Sequence, residues 1–354
     1  MLNKSQVKLV RYIVLCAVVI LMVPLRGFAW GDVGHRAVAR IASRYLTPQA
    51  RARVVELLKA DIQLNRNYYV ETCPDVMALG EKAVLSDSEA ATFTETGLAC
   101  IASWPDPPLK DQRLYTSNWH FVDIPVNMHG PNGPILTSYE VARDCRMDDN
   151  RGDCAILALK RLRPVLANQT ELAGSRAEAL KFIVHIIGDL HQPMHCVTDK
   201  NNVNDVADLG DLGGNFKKVQ FNVPAWQGNT NKDQNPRWHK QWNLHSVWDE
   251  GLIDAYMGIQ NLTVDSYVAQ LLNSLSAKTP EQFTKLQSGD LLTWIEESYS
   301  LAVKKGYKLP PKDTNYNGYI LQSSYYESNQ PITSEQLQTG GVRLARFLNE
   351  TLAG

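Results

Sequence analysis

Along most of the chain apolar residues recur every three or four positions, the period of a helix with one buried face. Residues 34–45 and 48–60 carry this pattern, and Thr47-Pro48 supplies an N-cap and a first-turn proline for the second segment. Residues 154–167 and 176–192 repeat it, the latter ending just before Pro193. Residues 265–276, 291–304 and 334–352 predict further helices. One stretch alternates instead: 217–223 (KKVQFNV) follows Gly213-Gly214 and predicts a strand. No internal repeat or linker divides the chain. Residues 197–240 are rich in Asn, Asp and Gly, and a loop of that length carries function or disorder. These elements predict a mainly α fold: a single α-helical domain with long active-site loops and at most a small β-hairpin.

The first residues break the pattern. Lys4, Lys8 and Arg11 precede an apolar run over 12–25, and Gly27 and Ala29 place small residues before a cleavage point. The run is shorter than the ~20 residues a membrane span needs. Residues 1–29 therefore read as a signal peptide and 30–354 as the functional domain, secreted or periplasmic, with Trp30 as its first residue. Cys16 lies in the run without a lipobox. The leader holds four of the 36 basic residues and none of the 37 acidic ones, so the mature chain carries a formal charge of −5. That charge disfavours a polyanionic partner, but three bound divalent ions would bring it near neutrality. Of five remaining cysteines, Cys145 and Cys154 bracket a short polar loop and Cys73 can pair with Cys100, leaving Cys196 over. Asn168, Asn261 and Asn349 lie in N-x-T sequons, which matter only in a glycosylating host.

The chain has no HExxH, G-x-S-x-G or Walker loop. It offers His and Asp at ligand spacing instead. In HIIGDLHQPMH, His185 and Asp189 stand four apart on one helix face, and His195 follows Pro193, free to turn toward a second ion. In NLHSVWD, His245 and Asp249 repeat the step of four. A single such pair equally fits an ordinary helical side-chain pair. Two pairs, a third histidine between them and an apolar setting (FIVHIIGDL) favour a metal, because an unpaired carboxylate at Asp189 would be costly. Imidazole with carboxylate suits Zn²⁺. His129, His191 and His239 fit no ligand position, and His191 lies well around the helix from the ligand face.

Further motifs complete the set: Trp30-Gly-Asp-Val-Gly-His35, SWPD ending in Asp106, NWHFVD with His120 and Asp123, and Gly213-Gly214-Asn215. In this order they resemble the zinc-dependent single-strand-specific nucleases of fungi and plants, within the superfamily that includes bacterial zinc phospholipase C. The resemblance runs from Trp30 to about Asp249 and continues more loosely through the C-terminal helices.

The resemblance implies three zinc ions. Asp106, His120, His185 and Asp189 would hold one, and Trp30 (through its amine and carbonyl), His35 and the bridging Asp189 a second. His195, His245 and Asp249 would hold the third. A terminal amine, with a reference pKa of about 8, yields its proton to a metal more readily than a lysine. The implied activity is endonucleolytic hydrolysis of single-stranded DNA and RNA to 5′-phosphorylated products, with 3′-nucleotidase activity beside it. Asp123 matches a carboxylate that orients the attacking water. Phe121 matches an aromatic that stacks on a base, or is a core phenylalanine. Asn215 either meets a base edge or holds its own loop.

One departure from the family pattern concerns a cation three residues after the SWPD aspartate. Here that position is Leu109, which leaves Lys110 or Arg113 for the role or makes both solvated loop charges. The expected partners are single-stranded nucleic acids and nucleotides, the protein being a monomer without stable membrane attachment. Rival readings are a phospholipase C acting on a lipid phosphodiester and a zinc-binding protein without turnover.

Overall fold

The computed structural model describes residues 30–106, 113–130, 133–135, 138–145, 152–200, 210–227 and 241–353. Twelve α-helices of seven or more residues run through these segments. They are α1 (Asp32–Arg44), α2 (Pro48–Leu64), α3 (Arg66–Thr72), α4 (Pro74–Gly80), α5 (Asp87–Ile101), α6 (Ala155–Ala167), α7 (Ala173–Leu190), α8 (Leu252–Gln260), α9 (Val264–Ser276), α10 (Pro280–Gln287), α11 (Leu291–Leu301) and α12 (Ser323–Thr351). The fold is mainly α, as the periodicity predicts. None of the described helices is long and apolar enough to cross a membrane.

α7 is the axis of the structure. Every residue from Leu180 to Leu190 is buried, as expected of a helix apolar on all sides. α6, α2, α12, α1, α5 and α11 all pack against it. α1 buries Gly34, His35, Ala37, Val38, Ile41 and Ala42 between α7, α5 and α12. At the head of α2, Thr47 accepts a hydrogen bond from the Ala50 amide and Pro48 occupies the first turn.

Two small β elements complete the fold. β1 (Asn127–Gly130) and β2 (Gly133–Ile135) form an antiparallel hairpin. β3 (Lys218–Phe221) lies at the centre of a three-stranded sheet, antiparallel to β4 (Trp242–Asn243) and parallel to β5 (Tyr319–Leu321). The predicted strand thus forms, paired with segments whose own sequences carry little alternation. β4 leads straight into the Leu244–Ser246 turn and the wider turn Val247–Gly251, so the sheet aims His245 and Asp249 at the end of α7.

Cys73 is bonded to Cys100 and Cys145 to Cys154, while Cys196 is a buried free thiol. The signal-peptide segment, Leu109, Lys110 and His239 lie outside the described residues.

Candidate metal centre

The ligand candidates converge at the C-terminal end of α7. His185 and Asp189, one turn apart, point from the same face, and His35 comes across from α1. His120 ends a short 3₁₀ turn (Leu114–His120), and Asp106 closes the turn after α5. All five are buried, none more than 7% exposed. Asp189 divides its oxygens between two sets of neighbours. Oδ1 lies 3.3 Å from His35 Nε2, whereas Oδ2 lies 3.2 Å from His185 Nε2 and 3.1 Å from His120 Nδ1. Asp106 Oδ1 reaches to 3.6 Å from His185 Nε2.

A further group forms where the chain leaves α7. His195 Nε2 lies 3.1 Å from His245 Nε2, and Asp249 carboxylate oxygens sit 3.7 and 3.5 Å from the two rings. Three sets of donor atoms therefore cluster: His35, His185 and Asp189; Asp106, His120 and His185; and His195, His245 and Asp249.

The protonation pattern of the rings fits metal ions. His185 Nδ1 faces the Ala102 carbonyl at 2.7 Å, His195 Nδ1 the His120 carbonyl at 2.8 Å and His245 Nδ1 the Gly213 carbonyl at 2.9 Å. A carbonyl only accepts, so each Nδ1 carries a proton, and in the neutral ring each Nε2 presents a lone pair inward. The lone pairs of His195 and His245 then point at one another, an arrangement that a shared cation resolves. In the other half, neither ring nitrogen of His35 nor Oδ1 of Asp189 has a hydrogen-bond partner, although all are fully buried. Buried polar atoms so placed are costly unless an ion completes them.

Electrostatics agrees. Burial, and then repulsion from His185, lowers the His35 pKa, so this ring is neutral and ready to ligate. Burial opposes ionisation of Asp189, but His185 and His195 beside it hold its carboxyl well below the usual range. Burial likewise works against a charged His185, yet Asp189 and Asp106 draw it up to about 9. Without an ion, a proton on His185 takes the place of one.

Trp30 stands at the same point. Its indole, fully buried, donates to the Gly188 carbonyl at 2.8 Å, and the Gly31 amide donates to the Asp249 carbonyl at 3.0 Å. Gly188 is needed for this fit, because a Cβ there would come within 2.9 Å of His35 Nδ1. The chain from Trp30 thus runs between the helix carrying Asp189 and the turn carrying Asp249.

The family model for S1/P1 nuclease matches residues 30–353. The chain belongs to the S1/P1 nuclease family. It is 27% identical over 340 residues to "Endonuclease 3" of Arabidopsis thaliana, covering 90% of this chain and 88% of the relative. Similarity to "Nuclease S1" of Aspergillus oryzae (24% identical) covers 91% of each chain, and to "Nuclease P1" of Penicillium citrinum (24%) covers 91% of this chain and 97% of the relative. This S1/P1 nuclease is a phosphodiesterase acting on nucleic acid, and its three buried His/Asp groups are the candidate metal sites.

Of the expected substrate residues, Phe121 lies against this centre. From His120 to Val126 burial alternates as along a strand, with His120, Val122 and Ile124 inward and Phe121 and Asp123 half-exposed on the other side. The Phe121 ring stacks on His195, centroids 4.7 Å apart and planes 26° from parallel. Phe121 is therefore not a core phenylalanine. Asn215 is buried, its amide donating to the Leu212 carbonyl and its oxygen accepting from Asn243, so one end closes its own loop and the other ties that loop to β4. That geometry favours the loop-holding reading over base contact. Arg113 pairs with Glu178 at 2.7 Å on α7 and lies over the Trp104 ring, which ties it to the helix.

His191 stays out of the centre, its Nδ1 donating to the Ile187 carbonyl and its Nε2 accepting from Arg343. Gln192 carries a role that the spacing of His and Asp does not disclose. Its amide donates to Asp249 Oδ1 while its oxygen accepts from the Met194 amide, so it fixes Asp249 and the turn bearing His195 together. The signal was in the motif: a glutamine beside Pro193, buried and too polar for the core.

Proposed function

We propose that the mature enzyme begins at Trp30, binds three zinc ions and cuts single-stranded DNA and RNA to leave 5′-phosphates. The observation that carries this reading is the division of the Asp189 oxygens between His35 on one side and His185 with His120 on the other. One carboxylate so placed serves two neighbouring ions. Asp106, His120, His185 and Asp189 hold the first, Trp30 through its amine and carbonyl, His35 and Asp189 the second, and His195, His245 and Asp249 the third. Export and cleavage after Ala29 are required to free that amine, and the family match beginning at Trp30 supports this boundary. The working enzyme is then a secreted or periplasmic monomer without a membrane anchor.

When bound, the ions acidify water and neutralise charge on the phosphate as it is attacked. The remaining work belongs to the chain's side chains. Asp123 accepts a hydrogen bond from the attacking water and so orients its lone pair toward phosphorus, in line with the leaving 3′-oxygen. Phe121, half-exposed beside the third group, stacks on an unpaired base and so places the adjacent phosphate. Asn215 holds the loop that presents Gly213 to His245. Lys110 supplies the phosphate-binding cation, since Arg113 is held by Glu178.

Stacking a base on Phe121 requires it to leave its helix, which costs a few kcal/mol in a duplex and far less in a single strand. Mature protein should therefore cut denatured DNA at least about tenfold faster than perfect duplex. It should lose activity to a chelator and leave phosphatidylcholine intact. Equal rates on single and double strands, or turnover that survives complete metal removal, would contradict the reading.

A further inference from the structure

Metal ligands are only part of what α7 presents toward the turns around it. Immediately before the His185 turn stand Phe182 and Lys181. Phe182 lies edge-on to two tryptophans, with centroid distances of 5.7 Å to Trp104 and 5.0 Å to Trp119. Trp104 is two residues before Asp106, and Trp119 immediately precedes His120. The aromatic packing on α7 thus supports both segments that deliver candidate ligands to the same group.

Lys181 is the unusual member. Its side chain is only 2% exposed, and its ammonium lies 3.8 Å from the Trp104 ring centroid. A lysine this deep needs a partner, and Asp61 of α2 provides it at 2.8 Å. Asp61 is itself fully engaged: Asn65 donates to Oδ1 at 2.8 Å and the Tyr69 hydroxyl to Oδ2 at 2.7 Å. The ammonium is therefore fixed between a carboxylate on α2 and an indole on the turn that ends in Asp106. A desolvated cation over the face of a tryptophan is the strongest form of that contact. The hydrolytic reaction itself has no use for this charge.

We propose that Lys181 is a positioning residue for the Asp106–His120–His185 metal group: anchored by Asp61, its ammonium holds the Trp104 ring and so fixes where the following turn presents the Asp106 carboxylate. The inference rests on the reading of those three residues as a metal group. It assigns a function to a buried charge pair that would otherwise only stabilise the fold.

The test is zinc release from zinc-loaded mature protein into a colorimetric chelator, read beside the melting midpoint. Lys181→Met alone strands the Asp61 carboxylate and risks misfolding, so the informative variant is the double substitution Asp61→Asn with Lys181→Met, which removes both charges. Expected is a melting midpoint near that of the parent, with one ion of three released about 10- to 100-fold faster, the range in which outer partners tune metal affinity. Trp104→Leu, which leaves the Asp61–Lys181 pair intact, should release the same single ion, and Asp106→Asn should lose it outright. Parent-like release from the double variant or from Trp104→Leu would overturn the inference. If Asp106→Asn retained every ion, the metal-group reading would fall and this inference with it.

Discussion

Asp189 and Asp249 each gather histidines around a carboxylate, but the two halves of the centre are held in different ways. Around Asp189, ligands rise from α1 and α7, Trp30 is bonded to α7 at Gly188, and the turns bearing Asp106 and His120 are packed by Trp104, Trp119 and Phe182. Side-chain packing sets most of the geometry there, with the Ala102 carbonyl orienting His185. Around Asp249, His195, His245 and Asp249 all come from turns, and hydrogen bonds do the positioning. The Gly213 and His120 carbonyls orient the rings, and Gln192 orients the carboxylate. The half in which Asp189 divides its oxygens between two sets of neighbours is thus held mainly by packing between helices and turns, while the equally buried Asp249 group relies on hydrogen bonds to its turns. Each half should fail to different substitutions.

The largest effect should come from Trp30. A single Gly placed before it preserves every side chain but converts the terminal amine into a peptide nitrogen, which is not basic. Such a protein should fold, lose an ion from the Asp189 half while keeping the Asp249 ion, and hydrolyse single strands about 10³-fold more slowly or worse. Trimming the extension and adding zinc should restore the rate. Full activity in a verified Gly-Trp30 protein would remove the terminus from the ligand set.

The converse substitution is Gly213→Ala. Gly213 has φ +62°, and a Cβ there would fall 2.1 Å from the Met194 carbonyl oxygen and 3.0 Å from His245 Nδ1. The left-handed backbone alone costs about 1–2 kcal/mol for a non-glycine residue. Affinity for the third ion should drop about 10- to 100-fold, the range for lost outer support, while the Asp189 half keeps its metal. Gln192→Leu should act in the same direction. Chelator titrations in which both halves weaken together would blur the distinction drawn here.

Phe121→Ala should have the smallest effect on metal and a clear effect on substrate. Base–aromatic stacking is worth about 1–3 kcal/mol, so the Michaelis constant for single strands should rise roughly 5- to 150-fold. Metal content should stay unchanged, although the ring rests on His195. A fall in turnover number accompanied by zinc loss would recast Phe121 as support for the third group.

How much of this was legible in the sequence follows from the same contrast. The helices α1, α2 and α7 were readable because their burial is one-sided or complete and their ends are marked by Pro48 and Pro193. α5 escaped the periodic reading, since its buried face includes Thr94, Gly97 and Ala99 and gives little contrast. A Ser86–Glu89 capping box closes its start, a local signal that the reading of apolar periodicity did not use. α12 begins at Ser323, well before the expected 334, and runs through Pro331. An interior proline usually breaks a helix, but here Tyr325, Asn329 and Leu337 bury on either side of it and packing prevails. His185 with Asp189 and His245 with Asp249 showed through their spacing of four, whereas Trp30, His35, Asp106 and His120 entered only through the family resemblance. The supports of these ligands showed in neither way, because the Ala102 and Gly213 carbonyls and the Lys181–Asp61 pair join residues tens of positions apart and leave no local pattern.

The division of the centre into a shared half and a separate one reduces to metal counted per chain in two variants. Elemental analysis of mature Asp189→Ala should find two ions fewer than the parent if one carboxylate serves both neighbouring groups as proposed. Asp249→Ala, purified and loaded identically, should lack only one. Equal losses in the two variants would contradict the bridging role of Asp189 and with it the account of the site.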